Sequence, residues 1–84
     1  MKLSELPRRT AATVDSVEDH APNDAIARRL RELGFVRGER VEVMATGPVA
    51  KEPMLVQVGF TRFALRRSEA ARVSVSLVAA GVIA

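Results

Sequence analysis

Eighty-four residues, 48% hydrophobic and 27% charged, supply one small core and leave no room for a second folding unit. With no cysteine the chain has no disulfide, thiolate metal ligand or thiol nucleophile, so buried aliphatic side chains must hold it together, as in a reducing cytoplasm. Residues 1–59 balance nine basic groups against nine acidic ones, and the net charge of +3 comes entirely from Arg62, Arg66, Arg67 and Arg72 set against Glu69.

In chain order, Ala12, Val14 and Ser16 alternate as the inward side of a first strand over Ala12–Val17, with Val17 out of phase at a bulge. A polar connection follows, in which Asn23 is the expected cap of a helix starting near residue 23 and Asp24 suits its positive end. Ile26, Leu30 and Leu33 recur at helical spacing and define the buried stripe, with Asp24, Arg28, Arg31 and Glu32 opposite. Gly34 ends this helix in the left-handed conformation, and Phe35 folds back over its last turn. Val36-Arg37-Gly38-Glu39 reads as a turn with Gly38 at positive φ.

Beyond it the period falls from 3.6 to 2. Val41 and Val43 alternate with Arg40 and Glu42 in a second strand. Gly47-Pro48 interrupts that pattern and opens a loop reaching Pro53. A third strand spans Met54 to Val58, a fourth holds Phe63, Ala64 and Leu65, one helical turn covers residues 67–71, and Val73, Val75 and Leu77 form the fifth. Five short strands with one helix between the first and second predict a mainly β fold, a small barrel whose open end the helix plugs.

The block Arg29-Leu30-Arg31-Glu32-Leu33-Gly34-Phe35-Val36-Arg37-Gly38, then Val41-Glu42-Val43 and Phe63-Ala64-Leu65-Arg66, closely resembles the FeoA family. The opening Leu3-Ser4-Glu5-Leu6-Pro7 and the stretch Glu69 to Val75 extend the likeness over residues 1–77. The resemblance implies an SH3-like barrel and a cytoplasmic accessory that binds and supports or regulates FeoB, a membrane ferrous-iron transporter with a G-protein domain. Two turns depart from the family pattern. Pro7-Arg8-Arg9 stands where Pro-Gly is usual, and Arg37-Gly38 replaces a second Pro-Gly while keeping the glycine. Residues 78–84 form an apolar C-terminal extension for which core cover, subunit contact and fraying all stay open.

Catalysis is not expected: His20 is the single histidine, tyrosine is absent, and neither lysine follows a glycine in a phosphate-cradling loop. No resident cofactor is required. His20 with Asp19, and Glu52 from further along the chain, are candidate ligands for Fe²⁺ or Zn²⁺, and a closed site would borrow ligands from a second copy in a metal-mediated or weak homodimer. Arg28, Arg31 and Arg37 around the helix, and Arg62 and Arg66 on the fourth strand, are the candidate partner contacts, with solvated charge as the plainer alternative. No small-molecule substrate is expected, and the membrane is reached through the transporter. The start Met1-Lys2-Leu3-Ser4-Glu5 lacks the apolar core of a signal peptide, and the longest apolar run, residues 77–84, falls short of the roughly 20 residues a span requires. A nucleic-acid-binding barrel is the alternative, since Arg62, Arg66 and Arg67 cluster. The absence of Trp and Tyr disfavours it by removing stacking platforms. A stand-alone relative of the C-terminal barrel of metal-dependent repressors is the other, although no DNA-reading helix pair precedes this barrel.

Overall fold

The alternating valines form the five expected strands: β1 (Ala12–Val17), β2 (Arg40–Val49), β3 (Glu52–Val58), β4 (Thr61–Leu65) and β5 (Val73–Leu77). In this computed structural model, which describes residues 1–78, they make one antiparallel sheet in the order β4-β3-β2-β1-β5. Helix α1 (Ala25–Leu33) follows β1, and a single helical turn, α2 (Arg67–Ala70), joins β4 to β5. Inward positions of every strand meet in one core in which Leu3, Val14, Phe35, Val41, Val43, Val56, Val73 and Val75 are fully buried. Phe35 meets the half-buried Phe63 with ring centroids 6.2 Å apart and planes tilted by 48°, a favourable aromatic geometry.

β4 and β5 do not pair with each other, so each is an edge strand. The outer edge of β5 is covered by the N-terminal segment, where the Val75 N–H donates to the Met1 carbonyl at 2.8 Å and Lys2 bridges to Ser74. β4 carries exposed Arg62, the charged protection an uncovered edge calls for. α2 packs on β3 and on the 3-10 turn at Leu3–Glu5, which also meets β5 and drives Leu3 into the core.

Four local expectations need correction. The register shift in β1 lies between Val14 and Ser16, so the extra residue turns Asp15 and Ser16 outward and returns Val17 to the core. Ser16 is therefore not inward, and the phase error at Val17 is the mark of the bulge. The α1 cap is Asp24, one residue later than expected, with its Oδ1 accepting from Ile26 N at 3.1 Å and Ala27 N at 3.2 Å, while Asn23 turns at φ 56. Ala27 and Leu30 are the buried residues of α1, and Ile26 is exposed. At the other end the stop is as expected. Gly34 at φ 114 donates to the Arg31 carbonyl and Phe35 to the Leu30 carbonyl, the paired bonds of a glycine-terminated helix.

The largest difference is between Gly47 and Pro53, expected as a loop and found as a β2–β3 hairpin. Ala50 and Lys51, at φ 54 and 61, form a two-residue turn between Val49 and Glu52, and two consecutive left-handed residues match the twist of the strands they join. The prolines do not block the ladder because the register jumps from Thr46–Met54 to Val49–Glu52. Gly47 and Pro48 thus face Pro53 in a gap where no ladder donor is needed. Gly47 is required there by proximity: a Cβ on it would lie 1.9 Å from the Glu52 carbonyl oxygen.

Candidate functional site

α1 is held at a fixed angle by its N-terminal cap. Asp24 is buried, and besides capping the helix its Oδ2 accepts from the His20 N–H at 2.9 Å and from Arg72 Nε at 2.7 Å. Arg72 also donates to the Ser68 carbonyl at 2.7 Å, so one ion pair joins the start of α1 to α2 and β5. The Arg72 guanidinium first, and the His20 N–H second, hold the Asp24 carboxyl well below the usual carboxylate range against the opposing effect of burial. A second clamp comes from Arg31, which donates to the Val17 carbonyl at 2.7 Å and to Asp19 Oδ1 at 3.2 Å.

Fixed in this way, α1 stands beside β4 and α2 and leaves a groove of about 290 Å³ between them. Leu30 and Leu65 are buried at its base, Leu33 and Phe63 are half-buried, and Ile26 and Ala64 are exposed. Arg29 and Glu69 supply its charged lining. Glu69 is engaged locally, accepting from the Arg66 N–H at 2.7 Å. A second hollow of about 480 Å³ lies between Ser4–Arg8 and residues Thr46, Lys51 and Met54. Its lining has no aromatic side chain, whereas the α1–β4–α2 groove joins aliphatic and aromatic surface to charge, the composition of an interaction site.

The expected contact residues distribute around this groove unequally. Arg28 is exposed on α1 beside Arg29, and Arg62 and Arg66 flank the Phe63–Leu65 stretch along the chain. Arg62 donates to Gln57 Oε1 at 3.0 Å, and Arg66 stands before α2. Arg31 is committed to β1 and Asp19, and Arg37 sits in the Val36–Glu39 turn. Arg29 and Glu69 line the groove without being among the expected contacts. Arg29 lies three residues after Ile26 on the helical wheel, and an Ile26 expected in the core hides the groove side of the helix, which the exposed Ile26 reveals as surface.

The metal candidates are not brought together. His20 is exposed in the bend before α1, Asp19 faces Arg31, and Glu52 accepts from the Arg67 N–H at 3.1 Å. Among the described residues no three His, Asp or Glu side chains stand close enough to hold a metal ion. No helix among them is long and apolar enough to cross a membrane.

The comparisons agree with this architecture. A crystal structure of the zinc-complexed FeoA of Stenotrophomonas maltophilia, described as an SH3 domain protein, superposes with a TM-score of 0.85 at 70% identity, covering 90% of this chain and 89% of that one. FeoA of Chlorobium tepidum, solved in solution, gives a TM-score of 0.80 at 38% identity over 94% of this chain and 71% of that one. An Fe(2+) transport protein A/Fe(2+) transporter FeoB fusion protein of Porphyromonas gingivalis is 31% identical over 78 residues, which are 93% of this chain and only 9% of that protein. The FeoA domain family matches residues 1–77, all five strands and both helices included, and the chain belongs to the FeoA family.

Proposed function

We propose that the chain is a non-catalytic cytoplasmic accessory of ferrous-iron uptake that binds the cytosolic part of an FeoB-type transporter through the α1–β4–α2 groove. The observation that carries this reading is the Porphyromonas gingivalis fusion, in which an FeoA-like segment and the transporter are one polypeptide. Covalent linkage holds two modules at high effective concentration, and separate chains need an interface to achieve the same encounter. The groove supports that role because it offers exposed Ile26 and Ala64 over a buried base, with arginines nearby to steer an acidic partner. The residue inventory supports a binding module over an enzyme, since the chain has a single histidine and no cysteine or tyrosine.

The zinc in the Stenotrophomonas relative favours one subsidiary reading, a divalent-cation contact at the exposed His20. With Asp19 facing Arg31 and no third ligand gathered among the described residues, one chain does not fit a closed site, and the missing ligands would come from a second chain.

The test is calorimetric titration of the purified chain into the transporter's cytosolic G domain, with duplex DNA in a parallel cell. Saturable heat with the G domain is expected, weakened by about tenfold or more in Ile26→Glu and in Ala64→Arg, which place a charge where apolar surface is buried. No binding to the G domain, or saturable binding to DNA alone, overturns the assignment.

A further inference from the structure

The outer edge of β4 is open. β4 pairs with β3 alone, and among the described residues no backbone group bonds to its other side, whereas Met1 and Lys2 close the outer edge of β5. The register fixes which groups stand free. Gly59 and Phe60 are the two turn residues between the paired Val58 and Thr61, so Val58 and Thr61 exchange both backbone bonds, and bonded and open pairs alternate from there. Thr61, Phe63 and Leu65 spend their N–H and C=O groups on β3. Arg62 and Ala64 turn theirs to the open side, and no register shift interrupts the alternation. The edge stops at Arg66, whose N–H donates to Glu69 Oε1 at 2.7 Å and whose carbonyl accepts from the Glu69 and Ala70 N–H groups.

These free groups, repeating at about 7 Å along the strand, border the α1–β4–α2 groove. Phe63, Ala64 and Leu65 line it from β4, and Ile26, Leu30 and Leu33 from α1. Phe63 and Leu65, half-buried and buried, lie on the inner side of β4, with the exposed Arg62 and Ala64 on the outer side. In a strand laid against β4 at about 4.8 Å, the residues opposite Phe63 and Leu65 share the inner side and stand over the groove. The residue opposite Arg62 shares the outer side with that guanidinium.

Charge selects the occupant. Arg62, Arg66 and Arg29 across the groove belong to none of the ion pairs among the described residues, and Glu69, the carboxylate of the groove lining, is engaged on the Arg66 N–H. An acidic strand is therefore attracted. A second copy is a poor occupant, because pairing two such edges gathers arginines on one short face.

We propose that β4 is a docking edge to which an extended acidic segment of the partner, apolar at every second residue, adds as a further strand. It bonds to the Arg62 and Ala64 backbone and seats its apolar side chains in the groove. The proposal rests on the assignment of this groove to the transporter and adds the form of the contact, one strand rather than a folded face.

The test is amide hydrogen exchange by NMR on the full isotope-labelled chain, free, with the unlabelled cytosolic G domain, and with an acetylated and amidated peptide of alternating leucine and glutamate. In the free chain the Arg62 and Ala64 amides exchange fast and those of Phe63 and Leu65 slowly. The G domain is expected to slow Arg62 and Ala64 by about tenfold or more, and the peptide to do the same at higher concentration, less so as salt is added. Ala64→Pro removes an outward donor at a position where β3 loses no bond, and should weaken binding of both by about tenfold. Ala64→Val, which keeps the donor, should bind like the parent. Circular dichroism of both variants confirms the fold. G-domain binding that leaves the two amides in fast exchange, or that Ala64→Pro leaves intact, overturns strand addition while sparing the groove's assignment. A G domain that does not bind fails that assignment instead, and the peptide then decides: protection of both amides supports the docking edge, and its absence overturns it. Slowing of the two amides with chain concentration alone would seat a second copy on β4 and likewise overturn the proposal.

Discussion

Gly47→Ala separates two reasons for a glycine. In an unstrained setting the change stabilises a protein by about 0.4–1 kcal/mol because it narrows the unfolded ensemble. At Gly47 the added Cβ would lie 1.9 Å from the Glu52 carbonyl oxygen and 2.6 Å from its carbon, both backbone atoms of the facing strand. Normal contact requires these strands to part by about 1.5 Å, which loosens the Val49–Glu52 pairing that closes the hairpin. Overpacking of this kind costs about 1–3 kcal/mol, and loss of the closing pair takes the expected effect to the upper end of that range. For a domain whose whole stability is about 4–13 kcal/mol, the melting temperature should fall by about 10–20 °C. The matched control is Gly34→Ala, where a Cβ meets nothing within 4 Å and the cost is the left-handed backbone alone, about 1–2 kcal/mol. Thermal and urea unfolding of both variants, followed by circular dichroism, give the comparison. A Gly47→Ala chain as stable as the parent, or less damaged than Gly34→Ala, would refute the steric argument.

Three further outcomes follow from the same structure. Replacing Ala50-Lys51 by Asn-Gly, residues suited to consecutive left-handed positions, should raise stability by about 1 kcal/mol in urea unfolding with an unchanged m-value. Phe35→Ala empties the centre of the core and removes the contact with Phe63; a loss of about 3–5 kcal/mol should lower the urea midpoint in proportion, read by denaturant titration. The Asp24 carboxyl is held low in the folded chain, so its contribution is fully present above the ordinary aspartate range and is lost as pH falls from about 4 downward. Asp24→Asn should therefore flatten the pH dependence of stability below about pH 5 and lower stability at neutral pH, measured by denaturant titrations across that range. Glu18, lowered by Lys2 and then by Ser74, works in the same direction, so a residual slope in the variant is expected.

The sequence revealed the strands because valine alternation is strong in β3 and β5 and because Gly34 and Gly38 mark the helix exit and the next turn. It misled at Gly47–Pro53, since two prolines usually signal a loop and only the register jump opposite Pro53 shows why a hairpin tolerates them. The one-residue error at the helix cap arose because Asn23 and Asp24 are equally good oxygen acceptors. Arg72, 48 positions away, is what draws Asp24 inward, and no local pattern encodes that pairing. The arginines of the candidate site were legible as charge, while the groove was not. It depends on Ile26 turning from the core and on Phe63 stopping half-buried, both set by how α1 lies on β1.

That β1 pairs with β5 also imposes an order of events during synthesis. β1 keeps one edge open until Val73–Leu77 has been made, and the Arg72 partner of Asp24 arrives just before that strand. A nascent chain halted at α2 therefore leaves that strand flank unpaired and the Asp24 carboxylate without Arg72 at once. Synthesis of β5, rather than gradual growth, completes the sheet.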